Sequence, residues 1–428
     1  MERFVAPASA PVAAAGIPRV LVASLIGTSV EFYDFYIYAT ATSLVFGPIF
    51  FPSSSPSAQL LSAYASFGLA FLARPVGGII FGHFGDRVGR KSTLVASLLL
   101  MGLSTAAIAL LPTYAMVGWV APALLCLLRL GQGIGLGGEW SGAALLAVEN
   151  APPGWRGRFG SVPQLGAPIG FIAANGFFLL LGAVLTPAQF VAWGWRIPFL
   201  ASVSLVALGL WVRLTLVETP AFRDAADISA PPILPLRTVL RSHFGAVAAG
   251  TLGVVACFAI YYIATAFALG YGTTQLGYAR QSFLEIQLGA ILFMALGIGI
   301  AGWASDRWRP DAVLLAGCAG TVVAGYLIAP LLGSGTLSGA FLFLAFALLV
   351  MGFVYGPLGA WLTGLYPVQV RYTATSVAFN VGGIIGGGLT PVIAQLLAER
   401  GGLGLVGGYL VAAALLSATG IVALRGRR

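Results

Sequence analysis

Glu31 and Asp34 stand three residues apart in an apolar run, Glu31-Phe-Tyr-Asp34-Phe-Tyr-Ile-Tyr38. At helical pitch that spacing puts both carboxylates on one face, with Tyr38 and Thr42 further along the same stripe. A carboxylate enclosed by apolar groups favours its neutral form, which makes these two candidate proton carriers; an ion pair to a neighbouring helix is the alternative reading. A second polar stripe holds Arg129, Gln132 and Glu139. Arg129 and Glu139 are about 15 Å apart at helical rise, so they do not pair with each other. An enclosed arginine keeps its charge. It can stabilise a nearby carboxylate as the anion, or grip a carboxylate ligand through two parallel hydrogen bonds. Arg74 is a second cation of this kind, with its stem snorkelling toward water as the alternative. Later in the chain, Tyr261, Tyr262, Thr265, Tyr355, Trp361 and Asn380 are the polar and aromatic residues placed to line a cavity, although Tyr and Trp also collect at interfaces.

No catalytic constellation accompanies these groups. There is no Gly-x-Ser-x-Gly elbow, no Gly-x-x-x-x-Gly-Lys-Ser/Thr phosphate loop and no His-Glu-x-x-His pair. The chain is therefore not expected to be an enzyme or to drive transport with ATP by itself. His83, His243, Cys126, Cys257 and Cys318 lack metal-ligand spacing, so neither a metal nor a cofactor is expected.

The elements that hold these residues follow from composition. Of 428 residues, 59% are hydrophobic and 8% are charged, and the mean hydropathy is +0.95. A soluble domain carries roughly 25% charged residues, so this surface must face hydrocarbon. A bilayer-crossing helix needs about 20 apolar residues. Twelve such runs are predicted, at 20–47, 58–84, 91–112, 116–147, 158–184, 190–216, 244–270, 281–304, 311–331, 338–364, 371–397 and 403–424. The polar stretch 217–243 divides them six and six. The expected organisation is an N-terminal segment (1–19), a six-helix bundle (20–216), a cytoplasmic linker (217–243), a second bundle (244–424) and a tail (425–428). The first 18 residues lack an apolar core before a cleavage site, so no signal peptide is expected.

Lys and Arg collect on the cytoplasmic side of membrane proteins. With the N-terminus inside, inner segments receive 17 of the 22 basic residues, whereas the outer loops hold only Arg280 and Arg400. Both termini are therefore placed in the cytoplasm. The net charge of +9 is scattered between apolar runs without a basic tract, which argues against nucleic acid as a partner.

The halves echo each other. Gly82-His-Phe-Gly-Asp86-Arg87-Val-Gly89-Arg90-Lys91 follows the second span, and Gly302-Trp-Ala-Ser-Asp306-Arg307-Trp-Arg309 follows the eighth. Arg156 and Arg371 each open the fifth span of their half. Two parallel six-helix repeats suit a carrier with its ligand at their interface.

The Gly82 to Lys91 stretch resembles the signature loop of the major facilitator superfamily. Further stretches are similar to its metabolite:proton symporters, the branch with carriers of citrate, 2-oxoglutarate, shikimate and proline or betaine. They are Glu31 to Tyr38 with Phe50-Phe51-Pro52, Arg74-Pro75-Val-Gly77-Gly78, Arg129-Leu-Gly-Gln132-Gly133 with Gly137-Gly138-Glu139, Trp195-Arg196-Ile-Pro198-Phe199, Tyr366-Pro367 and Arg371-Tyr372-Thr373. The resemblance implies an all-α integral membrane protein of the inner membrane, with twelve helices in two pseudo-repeats, acting as a monomer by alternating access. It implies proton-coupled uptake of a small metabolite.

On that basis Asp34, Glu31, Arg129 and Glu139 are candidates for proton coupling, and Arg74, Tyr38, Gln132, Tyr262, Tyr355, Trp361 and Asn380 for substrate binding. Gly82, Asp86, Arg87, Gly89, Arg90, Asp306 and Arg307 are candidates for a cytoplasmic gate, in which an Asp accepts from a helix N-terminus or an arginine of a neighbouring helix. Arg309 stands where the first-half loop has Gly89. The intramembrane cations favour an organic anion (a mono-, di- or tricarboxylate). A betaine- or proline-like zwitterion, an efflux antiport and a non-transporting sensor are the competing readings.

Overall fold

The computed structural model describes residues 17–53, 55–87, 90–215 and 235–425, except for the side chains of 17–20, 85–87, 90, 91, 213, 215 and 235. All elements among these residues are helical. The six N-terminal spans are α1 (17–50), α2 (Pro56–Arg87), α3 (Arg90–Ala109), α4 (Val120–Glu149), α5 (Arg156–Val184) and α6 (187–215). The six C-terminal spans are α7 (Phe244–Thr274), α8 (Arg280–Trp308), α9 (Pro310–Leu332), α10 (Leu337–Thr363), α11 (368–400) and α12 (403–423). Among the described residues, nine helices are long and apolar enough to cross a membrane by length and composition, or ten if Pro187–Gly194 and Arg196–Val212 form one bent span. The run Val368–Ala423 is one of the nine, but Gly402, at φ +70°, breaks it into α11 and α12. The first span, which carries Glu31 and Asp34, completes the twelve.

Most of the linker lies outside the described residues; its end forms a helix, Pro235–Ser242, before α7. The halves meet chiefly along two pairs, α2 with α11 and α5 with α8, with further contacts of α10 and α11 against α4 and of α10 against α5. In lipid no hydrophobic force drives helices together, so close packing has to do it. Glycine supplies that closeness where α2 crosses α4. A Cβ on Gly77 would overlap the Ile134 carbonyl, and one on Gly137 would overlap the Arg74 carbonyl. This contact fixes the height at which Arg74 leaves α2. At Gly137 and Gly138, α4 itself breaks into Val120–Leu136 and Glu139–Glu149, and the turn leaves carbonyls free to accept from elsewhere.

Arg309, between α8 and α9, has φ +104°, a region that favours glycine. Its guanidinium reaches Asp311 at 3.2 Å but is largely exposed, so the ion pair contributes little. Arg425 also grips Asp311, at 2.9 Å, and ties the end of α12 to the start of α9. Arg309→Gly therefore removes backbone strain while keeping the Arg425 tie. We expect a stabilisation of about 1 kcal/mol, read as a higher denaturation midpoint in detergent. A lower midpoint would show that the Arg309 side chain matters more than its backbone.

Candidate functional site

A cavity lies between the halves, near the middle of the spans. From the N-terminal half it is lined by Glu31, Phe32 and Tyr36 of α1, Arg74 of α2, Leu136 and Trp140 of α4 and Ala167 of α5. The other wall is Cys257, Phe258, Tyr261 and Tyr262 of α7, Met351 and Tyr355 of α10, and Phe379 and Asn380 of α11. The aromatic rings couple the walls. Trp140 stacks flat on Phe379 at 3.7 Å, Tyr36 meets Tyr261 at 5.6 Å, and Phe32 meets Tyr355 edge-on at 6.4 Å. Trp140 donates its indole N–H to Gln164, and Gln164 donates across the interface to the Tyr355 carbonyl, so a chain of two hydrogen bonds supports the stack.

Arg74 is the cation of this cavity and is only 7% exposed. Its guanidinium carbon sits 4.7 Å from the Phe35 ring centre and 4.5 Å from that of Phe71. Its Nε has no hydrogen-bond partner, and it forms no ion pair with any described residue. Ring faces attract a cation, but a buried charge still needs a counter-charge or full hydrogen bonding. The cavity therefore holds a cation that makes no ion pair with a described residue, on the same lining as the carboxyl-bearing Glu31.

Six of the residues expected at the site come together here: Glu31, Arg74, Tyr261, Tyr262, Tyr355 and Asn380. Others lie elsewhere. Asp34 does not line the cavity. It is buried beside Thr105 and Ser202, inside the N-terminal bundle. Residues three apart on a helix differ by about 60° around its axis, and here that angle separates the cleft from the bundle interior. Arg129 is also outside the cavity. It is fully buried, with its guanidinium 3.6 Å over the Tyr38 ring and donating to Gln132 and to the Phe67 carbonyl. Tyr38, Phe35 and Phe67 cover it, so its place on the Leu136–Trp140 stripe does not expose it to the cleft. Tyr38 bonds Ser66, and Gln132 bridges Arg129 to Thr105, so both serve the arginine's packing rather than the cavity wall. Trp361 packs against Gly253 away from the cavity. Glu139 faces α3, where it accepts from Ser97 at 2.9 Å.

Tyr36, Trp140 and Phe379 were not singled out from the sequence. Phe32 and Tyr36 do share one face at i and i+4, but so do many lipid-facing aromatics. Cys257 lies on the cavity wall, which its apolar sequence context does not reveal.

On the cytoplasmic side Asp306 accepts from the backbone N–H of Gly157 at 2.6 Å and of Arg158 at 3.1 Å, with the Arg158 side chain 3.6 Å away. A carboxylate at a helix N-terminus is favoured by the exposed N–H groups and the helix dipole. The opening of α5 is thus pinned to the end of α8. Gly302 lies against Gly157 and Ser161, and Gly82 lies against Tyr372 and Thr373 at the start of α11, the matching position in the other half. The side chains of Asp86, Arg87 and Arg90, and all of Gly89, lie outside the described residues. Arg307 is exposed and takes no part in the contact, because one residue beyond Asp306 the helix has turned by about 100°. Arg371 pairs with Glu149 at 3.7 Å, and the Tyr372 hydroxyl and Asn380 amide donate to the carbonyls of Gly138 and Gly137. On the outer side Ser43 and Tyr64 donate to the Ala266 carbonyl, and Gln281 donates to that of Leu179. Contacts between the halves thus lie on both sides of the cavity.

Asp306→Ala removes two charge-assisted hydrogen bonds from the inner contact, each worth about 1.5–3 kcal/mol. Cytoplasmic reaction of Cys257 with a thiol reagent, with Cys126 and Cys318 replaced by serine, should then accelerate at least ~10-fold. An unchanged rate would remove Asp306 from the gate.

The comparisons agree with this architecture. The family model described as "Sugar (and other) transporter" matches residues 19–227. The inner membrane metabolite transport protein YhjE of Escherichia coli K12 is 48% identical over 93% of this chain and 92% of its own. The shikimate transporter of Escherichia coli K12 is 36% identical over 94% of this chain and 92% of its own. Among solved structures, the partially occluded inward-open xylose transporter XylE of Escherichia coli covers 94% of this chain and 97% of its own, with a TM-score of 0.73 at 16% identity, a likeness of fold. The chain belongs to the metabolite transporters of the major facilitator superfamily and is a multi-pass protein of the bacterial inner membrane.

Proposed function

We propose that this protein takes up a small organic anion together with a proton. The carboxylate of the substrate docks on Arg74, and Glu31 carries the proton. The observation that carries this reading is Arg74 itself, buried in the cavity wall with no ion pair to a described residue. A carboxylate ligand supplies the missing counter-charge through a two-pronged hydrogen bond, and the surrounding rings cover its apolar body. The shikimate transporter among the relatives handles a cyclic hydroxycarboxylate, in keeping with an aromatic-walled site. Glu31, on the same cavity, binds its proton where substrate is bound, so loading of one favours loading of the other. Asp34 and Arg129 act in the N-terminal bundle by holding α1, α3 and α4 in register. The bundles 20–216 and 244–424 rock about the site, joined by the cytoplasmic linker 217–243, and one chain suffices.

The test is uptake of shikimate, citrate and 2-oxoglutarate by proteoliposomes, with and without an imposed inward proton gradient. Accumulation of a carboxylate that rises with the gradient is the expected result. Carboxylate uptake indifferent to the gradient removes proton coupling. A zwitterion is the second reading, because Glu31 and Arg74 offer both charges within one ring of aromatics. Block by excess glycine betaine but not by any of the three carboxylates would select it.

A further inference from the structure

Three cavities follow one another across the membrane, and the inner one does not continue along the path of the substrate. The outer cavity lies between the halves and shares Tyr36 and Tyr262 with the central one. The inner cavity lies wholly within the N-terminal half, between α1, α3 and α4, and shares Glu31 with the central one. Its walls include Ser24, Thr28, Glu31, Glu139 and Ala143, and its far rim is Ala23, Leu94 and Leu146. Leu94 is four residues from the start of α3, and Leu146 three from the end of α4. Ala23 lies about 12 Å below Glu31 at helical rise, on the cytoplasmic side.

The cytoplasmic contacts between the halves, Asp306 with α5 and α11 with the α4 turn, close the interface but not this bundle-internal space. From this geometry we infer that the proton path parts from the substrate path at Glu31. The proton leaves to the cytoplasm through the cavity between α1, α3 and α4, by way of Glu139. The step is a proton transfer alone: the Glu31 carboxyl O–H breaks, its proton passes through water to the Glu139 carboxylate, and Glu139 releases it to cytoplasmic water. Ser24 and Thr28 hydroxyl oxygens border the water file, and Ser97 steadies Glu139. Among the described residues, the titratable groups around Glu31 are Tyr36 on its own helix, Arg74 on α2, Glu139 on α4, Cys257, Tyr261 and Tyr262 on α7 and Tyr355 on α10, with Asp34 near Glu139. Glu139 alone among them lies on the cytoplasmic side of Glu31 within the inner cavity.

This inference rests on the proton-coupled reading above, yet the route can be tested without a substrate. Cys126, Cys257 and Cys318 are replaced by serine, and Ser24→Cys or Ala143→Cys is added to the full chain. Inside-out and right-side-out membrane vesicles are treated with 2-aminoethyl methanethiosulfonate, and labelling is read by intact mass. Labelling at least ~10-fold faster from the cytoplasmic face is expected at both positions; no labelling, or equal labelling from both faces, overturns the route. In proteoliposomes carrying a transported carboxylate, Glu139→Gln and the cavity-filling Ala143→Leu should each cut gradient-driven accumulation at least ~10-fold. Substrate counterflow, which needs no proton release, should stay within about twofold. Accumulation unchanged in both variants, or counterflow lost in parallel with it, overturns the role of the cavity. Should the wild type ignore the gradient for every carboxylate, the coupled reading fails, and the labelling alone decides whether the cavity is a water path from the cytoplasm.

Discussion

Arg74→Gln lowers kcat/KM for carboxylate uptake by ~100-fold or more, mainly through KM, while protein in the membrane stays near wild-type level. A two-pronged charge-assisted contact in a dry cavity is worth about 3–5 kcal/mol, and each 1.4 kcal/mol is a factor of ten. Glutamine keeps a planar donor of similar reach but loses the charge, so the loss reads the ion pair rather than packing. Arg74→Lys should recover only part of it, because an ammonium is a point charge and lacks the fork. The comparison variant is Arg129→Gln. That arginine donates to Gln132 and the Phe67 carbonyl beneath a cover of rings, so its loss should lower the amount of folded protein more than the KM of what remains. Equal KM effects for the two arginines would contradict the placement of Arg74 as the sole cavity cation among the described residues.

The second large effect belongs to Glu31→Gln. A permanently neutral amide stands in for the protonated carboxyl, so exchange of substrate across the membrane should continue at near wild-type rate. Gradient-driven accumulation should fall at least ~10-fold, and its dependence on external pH should vanish. The sign follows from coupling: with the wild type, lowering external pH loads Glu31 from outside and raises uptake, whereas the variant has nothing to load. Asp34→Asn is the control, because Asp34 lies off the cavity. If Asp34→Asn uncouples and Glu31→Gln does not, the assignment of proton carrier reverses.

The twelve spans and the division into halves could be read from the sequence because bilayer thickness imposes a length and an apolar content that no other environment demands. The orientation was legible for the same kind of reason, since arginine distribution responds to membrane asymmetry rather than to packing. Arg74, Glu31, Tyr261, Tyr262, Tyr355 and Asn380 could also be picked out, as polar or aromatic groups in apolar helices must go somewhere useful. Which way each one points could not. Asp34 shares a helix face with Glu31 yet faces α3 and α6, because the decision depends on how α1 is rotated against its neighbours. Arg129 shares the stripe of Leu136 and Trp140, yet a lid of Tyr38 and Phe67 hides it, and that lid forms only when α1 and α2 pack. The Trp140–Phe379 stack joins residues more than two hundred positions apart, for which sequence spacing holds no signal.

The turn that interrupts α4 has a consequence for how such a carrier can diversify. At Gly137 and Gly138 the acceptors offered to α11 are main-chain oxygens, while the donors are the Asn380 amide and the Tyr372 hydroxyl. Main-chain oxygens are not removed by side-chain replacement, so on the α4 side this contact changes only through a shift of the backbone, as a Cβ on Gly137 would force against the Arg74 carbonyl. The side-chain chemistry of this one contact is thereby set from α11, beside the separate Asp306 contact with α5 and the Arg371–Glu149 pair. Two codons in the second repeat can therefore alter this contact while Arg74, on α2, stays unchanged.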